Sequence, residues 1–201
     1  MDEFIMDPVK ETIKSYEKTA KKYAKNNSVV EDIKPLLDFF VYRLKGNKVL
    51  DVGIGPGLTT QFFTDHGLKV IGIDLTNNFL KMAEKKAPKA RIMQMDMRRL
   101  KFADGRFDGI FVCASFLHVP KSEALQTLKG FNRVMKKGGL IFIAVKKGDK
   151  EGFAKNVGKY FTLYQTDELK GLMESAGFKI IKATEEKKNK TTWIDIFALK
   201  V

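Results

Sequence analysis

Short apolar runs, most of them followed by a stretch of helical periodicity, constrain the fold of this chain more than any other feature. The runs are Lys48 to Val52, Lys69 to Ile73, Arg91 to Met95, Phe107 to Cys113 and Leu140 to Val145. Runs of this length without polar alternation read as strands buried on both faces, the pattern of a parallel sheet. Leu58 to His66, Phe79 to Lys86 and Glu123 to Met135 carry helical spacing between them, while a polar loop joins the Arg91 and Phe107 runs. Strands alternating with helices predict helices on both faces of the sheet, a three-layer α/β/α arrangement. The end of the chain differs. A helix opens at Thr166 and stops at Gly177, then Phe178 to Ala183 and Trp193 to Lys200 read as strands. The charged stretch Thr184 to Thr192 is too short for a crossover helix, so it predicts an antiparallel hairpin. The expectation is a mostly parallel seven-stranded sheet ending in that hairpin.

Two helices precede the first strand. Asp7-Pro8 is a start signal, an N-cap residue with proline at the first helical position, and the helix runs to about Asn26. Ser28-Val29-Val30-Glu31 has capping-box spacing and opens a second helix, with Leu36, Leu37, Phe40 and Leu44 on it and Gly46 ending it. The 201 residues show no repeat, no low-complexity tract and no Gly/Ser linker, so residues 1–201 read as one domain. The single cysteine, Cys113, implies a reducing compartment and excludes a cysteine-based zinc site. With no signal-peptide pattern and no apolar run near the roughly 20 residues of a membrane span, a cytoplasmic protein without a membrane segment is expected. The net charge is +13. Such a charge draws a protein to RNA or acidic partners, but lysines spread along the chain also fit an ordinary solvated surface.

The segment Val49-Leu50-Asp51-Val52-Gly53-Ile54-Gly55-Pro56-Gly57-Leu58 joins a buried strand, a glycine turn and a helix start. Glycines there let backbone approach a ligand closely, and the helix N-terminus adds free N–H groups. A dinucleotide fingerprint, G-x-G-x-x-G, would put its third glycine at position 58, which is Leu58; here it falls at Gly57. No Gly-Lys-Ser/Thr follows, so a P-loop is absent. Asp51, at the strand end, would repel a pyrophosphate and could hold a cationic ligand. Asp51-x-Gly53-x-Gly55-x-Gly57 resembles the first signature motif of the class I S-adenosylmethionine (SAM)-dependent methyltransferases of Rossmann-like fold, in particular the type 11/25 group. That resemblance covers roughly Tyr16 to the C-terminus.

It assigns roles to later strand ends. Asp74, which closes Val70-Ile71-Gly72-Ile73, corresponds to the acid that binds the SAM ribose, followed by Leu75; alone, Asp74 reads equally as a helix N-cap acid. Asp96 corresponds to the acid that accepts from the adenine amino group. Met97 is placed to pack on the adenine or simply to fill core. The backbone of Cys113 and Ala114 would face the methionine portion of SAM. Residues 1–45 resemble the family's N-terminal cover over residues 46–201. Tyr16 and Tyr23, seven apart and near one helix face, either reach the SAM carboxylate or pack on the sheet. Asp108 and the turn Lys136-Lys137-Gly138-Gly139 read as structural. No metal site is expected.

The methyl of SAM is already activated, so orienting a nucleophile behind it is the main task, and a base is needed only for a protonated acceptor. His118, after the fourth strand, is the candidate base, or else a positioning group. The stretch Cys113-Ala114-Ser115-Phe116 lacks the Asn/Asp-Pro-Pro-aromatic motif of enzymes that methylate base amino groups. Acceptor recognition is expected from the N-terminal helices and from Lys146 to Tyr164, which holds Phe153, Tyr160, Phe161 and Tyr164 among lysines. The leading expectation is a methyltransferase acting on a small molecule and releasing S-adenosylhomocysteine. An RNA or protein methyltransferase, a non-catalytic SAM-binding protein and, more remotely, a nicotinamide oxidoreductase stand beside it.

Overall fold

The computed structural model describes residues 7–26, 30–155 and 157–201. Helix α1, Pro8–Asn26, opens as the Asp7-Pro8 signal predicts, with the backbone N–H of Val9 donating to Asp7 Oδ1 at 2.9 Å. The Ser28 start lies outside the described residues. Glu31 falls in a single 3-10 turn, Glu31–Ile33, and α2, Lys34–Arg43, begins only after it, with proline in its first turn. The chain then runs through β1 (Lys48–Val52), α3 (Leu58–Asp65), β2 (Lys69–Asp74), α4 (Asn77–Lys86), β3 (Arg91–Gln94) and β4 (Phe107–Cys113). It continues through α5 (Lys121–Val134), β5 (Met135–Lys146), β6 (Glu151–Phe153), β7 (Tyr160–Thr162), α6 (Thr166–Ser175), β8 (Phe178–Lys188) and β9 (Thr191–Lys200).

Seven strands form one sheet in the order β3-β2-β1-β4-β5-β9-β8. β1 to β5 pair in parallel, β9 runs against β5, and β8 runs against β9, so β9 alone in this sheet opposes the other six. The sequence expectation of a mostly parallel, Rossmann-like sheet with a C-terminal hairpin therefore holds. The order reverses between β1, whose chain continues to β2, and β4 on its other side. Such a switch point leaves a crevice at the carboxyl ends of the strands.

Both faces of the sheet are buried. On one, Phe111, Phe142 and Phe197 lie side by side across β4, β5 and β9, with centroids 4.6 Å apart, under Leu37 and Phe40 of α2 and Phe63 of α3. On the other, Ile110, Ile141 and Ile196 pack on Leu128 and Phe131 of α5 and Leu169 of α6. Each such side chain contributes about 1.5–3 kcal/mol by leaving water. This is why the strands read as continuous apolar runs.

Three expectations change in detail. β5 begins at Met135, and Lys136 to Gly139 lie in it as an irregularity between the Phe107–Met135 and Gly109–Leu140 pairs, where a turn was expected. β8 and β9 extend through the charged stretch to a tight connection at Asn189, whose φ of 55° is the left-handed conformation asparagine tolerates. Its exposed Glu and Lys residues belong to an edge strand, where charge discourages pairing with another chain. Finally, Lys146 to Tyr164 folds partly as a small antiparallel pair, β6 with β7.

Candidate functional site

The three glycines after β1 do different work. Gly53 donates from its backbone to the Ile73 carbonyl at 2.8 Å and sits at φ 71°; a Cβ there would lie 2.2 Å from Ser115 Cβ. Ser115 in turn donates its hydroxyl to the Val52 carbonyl at 2.7 Å, locking the loop to β4. Gly57, at φ 88°, precedes α3, and its Cβ would strike Ala83 Cα at 2.7 Å. It packs helix on helix and lines neither cavity at this edge. Gly55, at φ 52°, is the one that faces open space: its nearest neighbour would be the Tyr23 ring at 3.9 Å. Its N–H donates to Asp74 Oδ2 at 3.0 Å.

The three strand-end acids also part ways. Asp51 is 2% exposed, and its Oδ2 accepts from the hydroxyls of Thr59 and Thr60, both at 2.7 Å. Burial, opposed by those two bonds, pushes its carboxyl up to about 6. It therefore ties β1 to α3 as well as lining the larger cavity. Asp74 accepts from Gly55 through Oδ2 and from the Thr76 N–H through Oδ1, at 2.8 Å, just ahead of α4. Both readings of Asp74 thus meet in one residue. Burial raises its carboxyl above the ordinary value despite the backbone N–H bonds. The Thr76 hydroxyl and the Leu75 N–H also lower its proton affinity, so Asp74 sits in a ring of donors at the crevice. Asp96 is already engaged. Both its oxygens are held by Arg98, at 2.7 Å from Oδ2 to Nη2, and Arg98 also pairs with Asp7 and Glu123. Asp96 lines neither cavity, whereas Leu75 and Met97 do. Its carboxylate clamps α1, the loop after β3 and α5 together.

Tyr16 and Tyr23 do come together with these groups. Their rings meet edge-on at 5.5 Å, both rest on Phe79 of α4, and both line the crevice with Cys113 and Ala114. Ala114 is held at φ 53°, a strained conformation for a residue with a Cβ. Burial pushes the Cys113 thiol up to about 12, so it is no nucleophile at neutral pH. His118 Nδ1 lies 2.6 Å from the Tyr160 carbonyl, and its Nε2 lies 3.1 Å from the Tyr16 hydroxyl. The carbonyl can only accept, so Nδ1 carries the proton and Nε2 accepts from Tyr16. Burial, against that Tyr160 bond, lowers the imidazole to about 4. His118 is a neutral strut between α1 and β7, with its one basic atom already engaged.

Two cavities meet at Gly55, Cys113, Ala114 and His118. The smaller, about 100 Å³, runs toward Leu75, Met95 and Met97; the larger, about 500 Å³, runs across Ala144 to Trp193 and Asp195. Lys146 and Lys159 also line the larger one. Lys159 Nζ sits 3.6 Å from the Tyr16 ring centroid and Lys146 Nζ 4.3 Å from that of Phe161. Sequence reasoning named the segment 146–164 but neither lysine, and it missed Trp193 and Asp195 altogether. The available signal was an aspartate inside the apolar run Trp193 to Ala198. Among the described residues, no cluster of three or more His, Cys, Asp or Glu could hold a metal ion.

Comparison with known proteins agrees with this geometry. A model of the methyltransferase-domain family matches residues 50–143. The O-methyltransferase rstn1 of Aspergillus nomiae is 28% identical over 156 residues, which are 71% of this chain and 68% of that protein. The demethylmenaquinone methyltransferase of Renibacterium salmoninarum is 31% identical over 99 residues, 49% of this chain and 41% of that one. The chain thus spans less than half of one relative and about two thirds of the other. Among solved structures, the Burkholderia thailandensis 1,6-didemethyltoxoflavin-N1-methyltransferase, with bound 1,6-didemethyltoxoflavin and S-adenosylhomocysteine, superposes with a TM-score of 0.81 at 18% identity, covering 100% of this chain and 93% of that one. Residues 50–143 thus match the methyltransferase-domain family, and the chain as a whole has the fold of the SAM-dependent methyltransferases it resembles.

Proposed function

We propose that this protein transfers the methyl group of SAM, in line, to a nucleophilic atom of a small molecule and releases S-adenosylhomocysteine. One observation carries the reading: a crevice at the switch point whose two cavities meet at the glycine loop, one shaped by backbone and Asp74, the other extending over Ala144. The residues present fit SAM. Asp74 lines the smaller cavity where a ribose would lie, Leu75 and Met97 offer an apolar slot for the adenine, and the space at Gly55 admits a ligand against backbone. Cys113, Ala114, Tyr16 and Tyr23 would enclose the methionine portion, and Asp51 would attract its ammonium end.

Bound SAM supplies a methyl activated by its sulfonium. The chain supplies orientation and exclusion of water, with the Tyr16–His118–Tyr160 strut fixing the cover over the reacting atoms. The larger cavity has the size of a metabolite site. Phe161 and Trp193 offer it flat apolar faces, and Lys146 and Lys159 offer positive charge. The small-molecule relatives support the same choice over RNA or protein acceptors. No described helix is long and apolar enough to cross a membrane. A reducing, cytoplasmic setting is part of the proposal, supported by the free thiol of Cys113.

Calorimetric titration with SAM, S-adenosylhomocysteine and NAD at several salt concentrations tests it. SAM and S-adenosylhomocysteine bind and NAD does not. Failure of both SAM compounds overturns the site. Acceptor binding that falls steeply with salt would shift the acceptor to RNA.

A further inference from the structure

Three described aspartates are less than a tenth exposed: Asp51, Asp108 and Asp195. Two have obvious reasons to be buried. Asp51 takes two threonine hydroxyls, and Asp108 takes the backbone N–H groups of Asn47 and Lys48 and the Lys136 ammonium. Asp195 is 4% exposed, and its carboxylate has no hydrogen-bond or ion-pair partner among the described residues. Burying a carboxylate without a partner is costly, so stability alone gives no reason for one in a strand centre. Its strand flanks it with Trp193, Ile194, Ile196, Phe197 and Ala198, Thr184 of β8 pairs with it, and the charges that reach it are those of Lys188, Glu186 and Lys182.

Its place is informative. Cys113 pairs with Ala144, and Ala144 with Asp195, so the three stand in one row on one face at the carboxyl edge of the sheet. All three line the larger cavity. Two strand spacings put Asp195 about 10 Å from Cys113. Ala144 between them presents only a methyl, leaving a gap about one planar ring wide. Trp193, two residues before Asp195 on the same face, and Phe161 border that gap. An acceptor lying over Ala144 would have the activated methyl on one side and the Asp195 carboxylate on the other.

We propose that Asp195 binds the O–H or N–H of the methyl acceptor and takes its proton as the methyl is transferred. The inference rests on the methyl-transfer reading above. The acceptor's heteroatom forms a bond to the methyl carbon, the carbon–sulfur bond breaks with its electron pair going to sulfur, and the acceptor's proton goes to the Asp195 carboxylate. Solvent later removes it through the cavity mouth. The acceptor class that follows is a small planar molecule with an ionisable hydroxyl or ring N–H. His118 does not compete for this role, because Tyr16 engages its Nε2.

The electrostatics agree. Burial pushes the Asp195 carboxyl up to about 6, with Lys188 and Lys182 pulling it down and Glu186 pushing it up. Lys146 from β5, Cys113 from β4 and Asp32 from the turn before α2 also face the cavity. A base with this affinity for protons is ionised at neutral pH yet still basic enough to act.

The test compares wild type with Asp195→Asn and Asp195→Ala in three measurements. Calorimetry with S-adenosylhomocysteine gives affinities within about two-fold for all three proteins, which shows that the variants fold and hold the cofactor. Carbon-13 NMR of aspartate-labelled protein shows a carboxyl titrating near pH 6 that is missing from Asp195→Asn. Transfer of labelled methyl from SAM is then followed with a panel of phenols, hydroxyquinolines, purines and pteridines. Wild type methylates a member of the panel with kcat rising through about pH 6, and Asp195→Asn loses about 100-fold or more in kcat and that pH step. Retention of kcat within about three-fold, an unchanged pH profile, or no Asp195 titration in that range overturns the inference. So does a wild type that binds SAM but methylates no O–H or N–H probe. A wild type that fails to bind SAM instead overturns the methyl-transfer reading itself.

Discussion

The two halves of the crevice are built from different kinds of neighbour. On the β1–β2 side, Gly53, Gly55 and Asp74 lie within 22 residues of chain, and each is placed by the strand it ends or follows. On the β5–β9 side, the wall combines α1, the turn before α2, β7 and β9: Tyr16, Asp32, Phe161 and Asp195 are far apart in sequence. The first half is local grammar, a strand, a turn and a helix start. The second exists only once the chain has closed on itself. A cofactor shared by a whole family suits the first kind of site, and an acceptor particular to one enzyme suits the second.

The comparison is open to attack first at Asp74. Asp74→Ala removes a carboxylate that would hold two ribose hydroxyls. At about 1.5–3 kcal/mol for each charge-assisted bond, SAM affinity falls 100-fold or more by calorimetry. Unchanged affinity would mean that the cofactor half has been misplaced. The glycines sharpen the picture next. Gly53→Ala meets Ser115 at 2.2 Å and forces a left-handed alanine, so urea unfolding shows a loss of about 2–5 kcal/mol. Gly55→Ala carries only the conformational cost of about 1–2 kcal/mol, because its Cβ points into the open crevice. Its SAM affinity nevertheless drops, and a Gly55→Ala protein that binds SAM normally would remove the ligand from that space.

The smallest expected effect lies at the seam between the halves. His118 has a lowered folded-state value of about 4 against 6.5 unfolded, so the unfolded chain takes up a proton first as pH falls. Stability from this group is intact above about 6.5 and is lost as pH falls from there toward 4. Relative to His118→Asn, whose amide N–H can still reach the Tyr160 carbonyl, wild type loses about 1 kcal/mol at pH 5.5. Measuring the difference cancels the opposite contributions of Asp51 and Asp195. Parallel pH profiles for the two proteins would show that His118 titrates as an exposed imidazole.

How much was legible follows the same division. The apolar runs announced five parallel strands, because burial on both faces leaves no polar alternation. The glycine spacing and Asp74 announced a loop and an acid that meet at the crevice. The engagement of Asp96 by Arg98 was not legible, because Asp7 and Glu123 hold Arg98 from afar and no local pattern reports that clamp. β6 and β7 were missed because three-residue strands carry too little periodicity to detect. The hairpin β8–β9 was drawn too short because its charged outer half looks like loop when read without its neighbours.

The sequence by itself therefore determined the sheet, its helices and the glycine loop at the switch point, since these depend on period, turn chemistry and residues near one another in the chain. Only the tertiary structure decided which acids remain available. Asp51, Asp96, Asp108 and Asp195 are the same residue type, each in or beside a strand of the sheet. Partners hold the first three: threonines from α3, an arginine in a four-residue clamp, a lysine from β5. The fourth has no hydrogen-bond partner among the described residues and lines the cavity, because availability is a property of what packs against a group and not of the group itself.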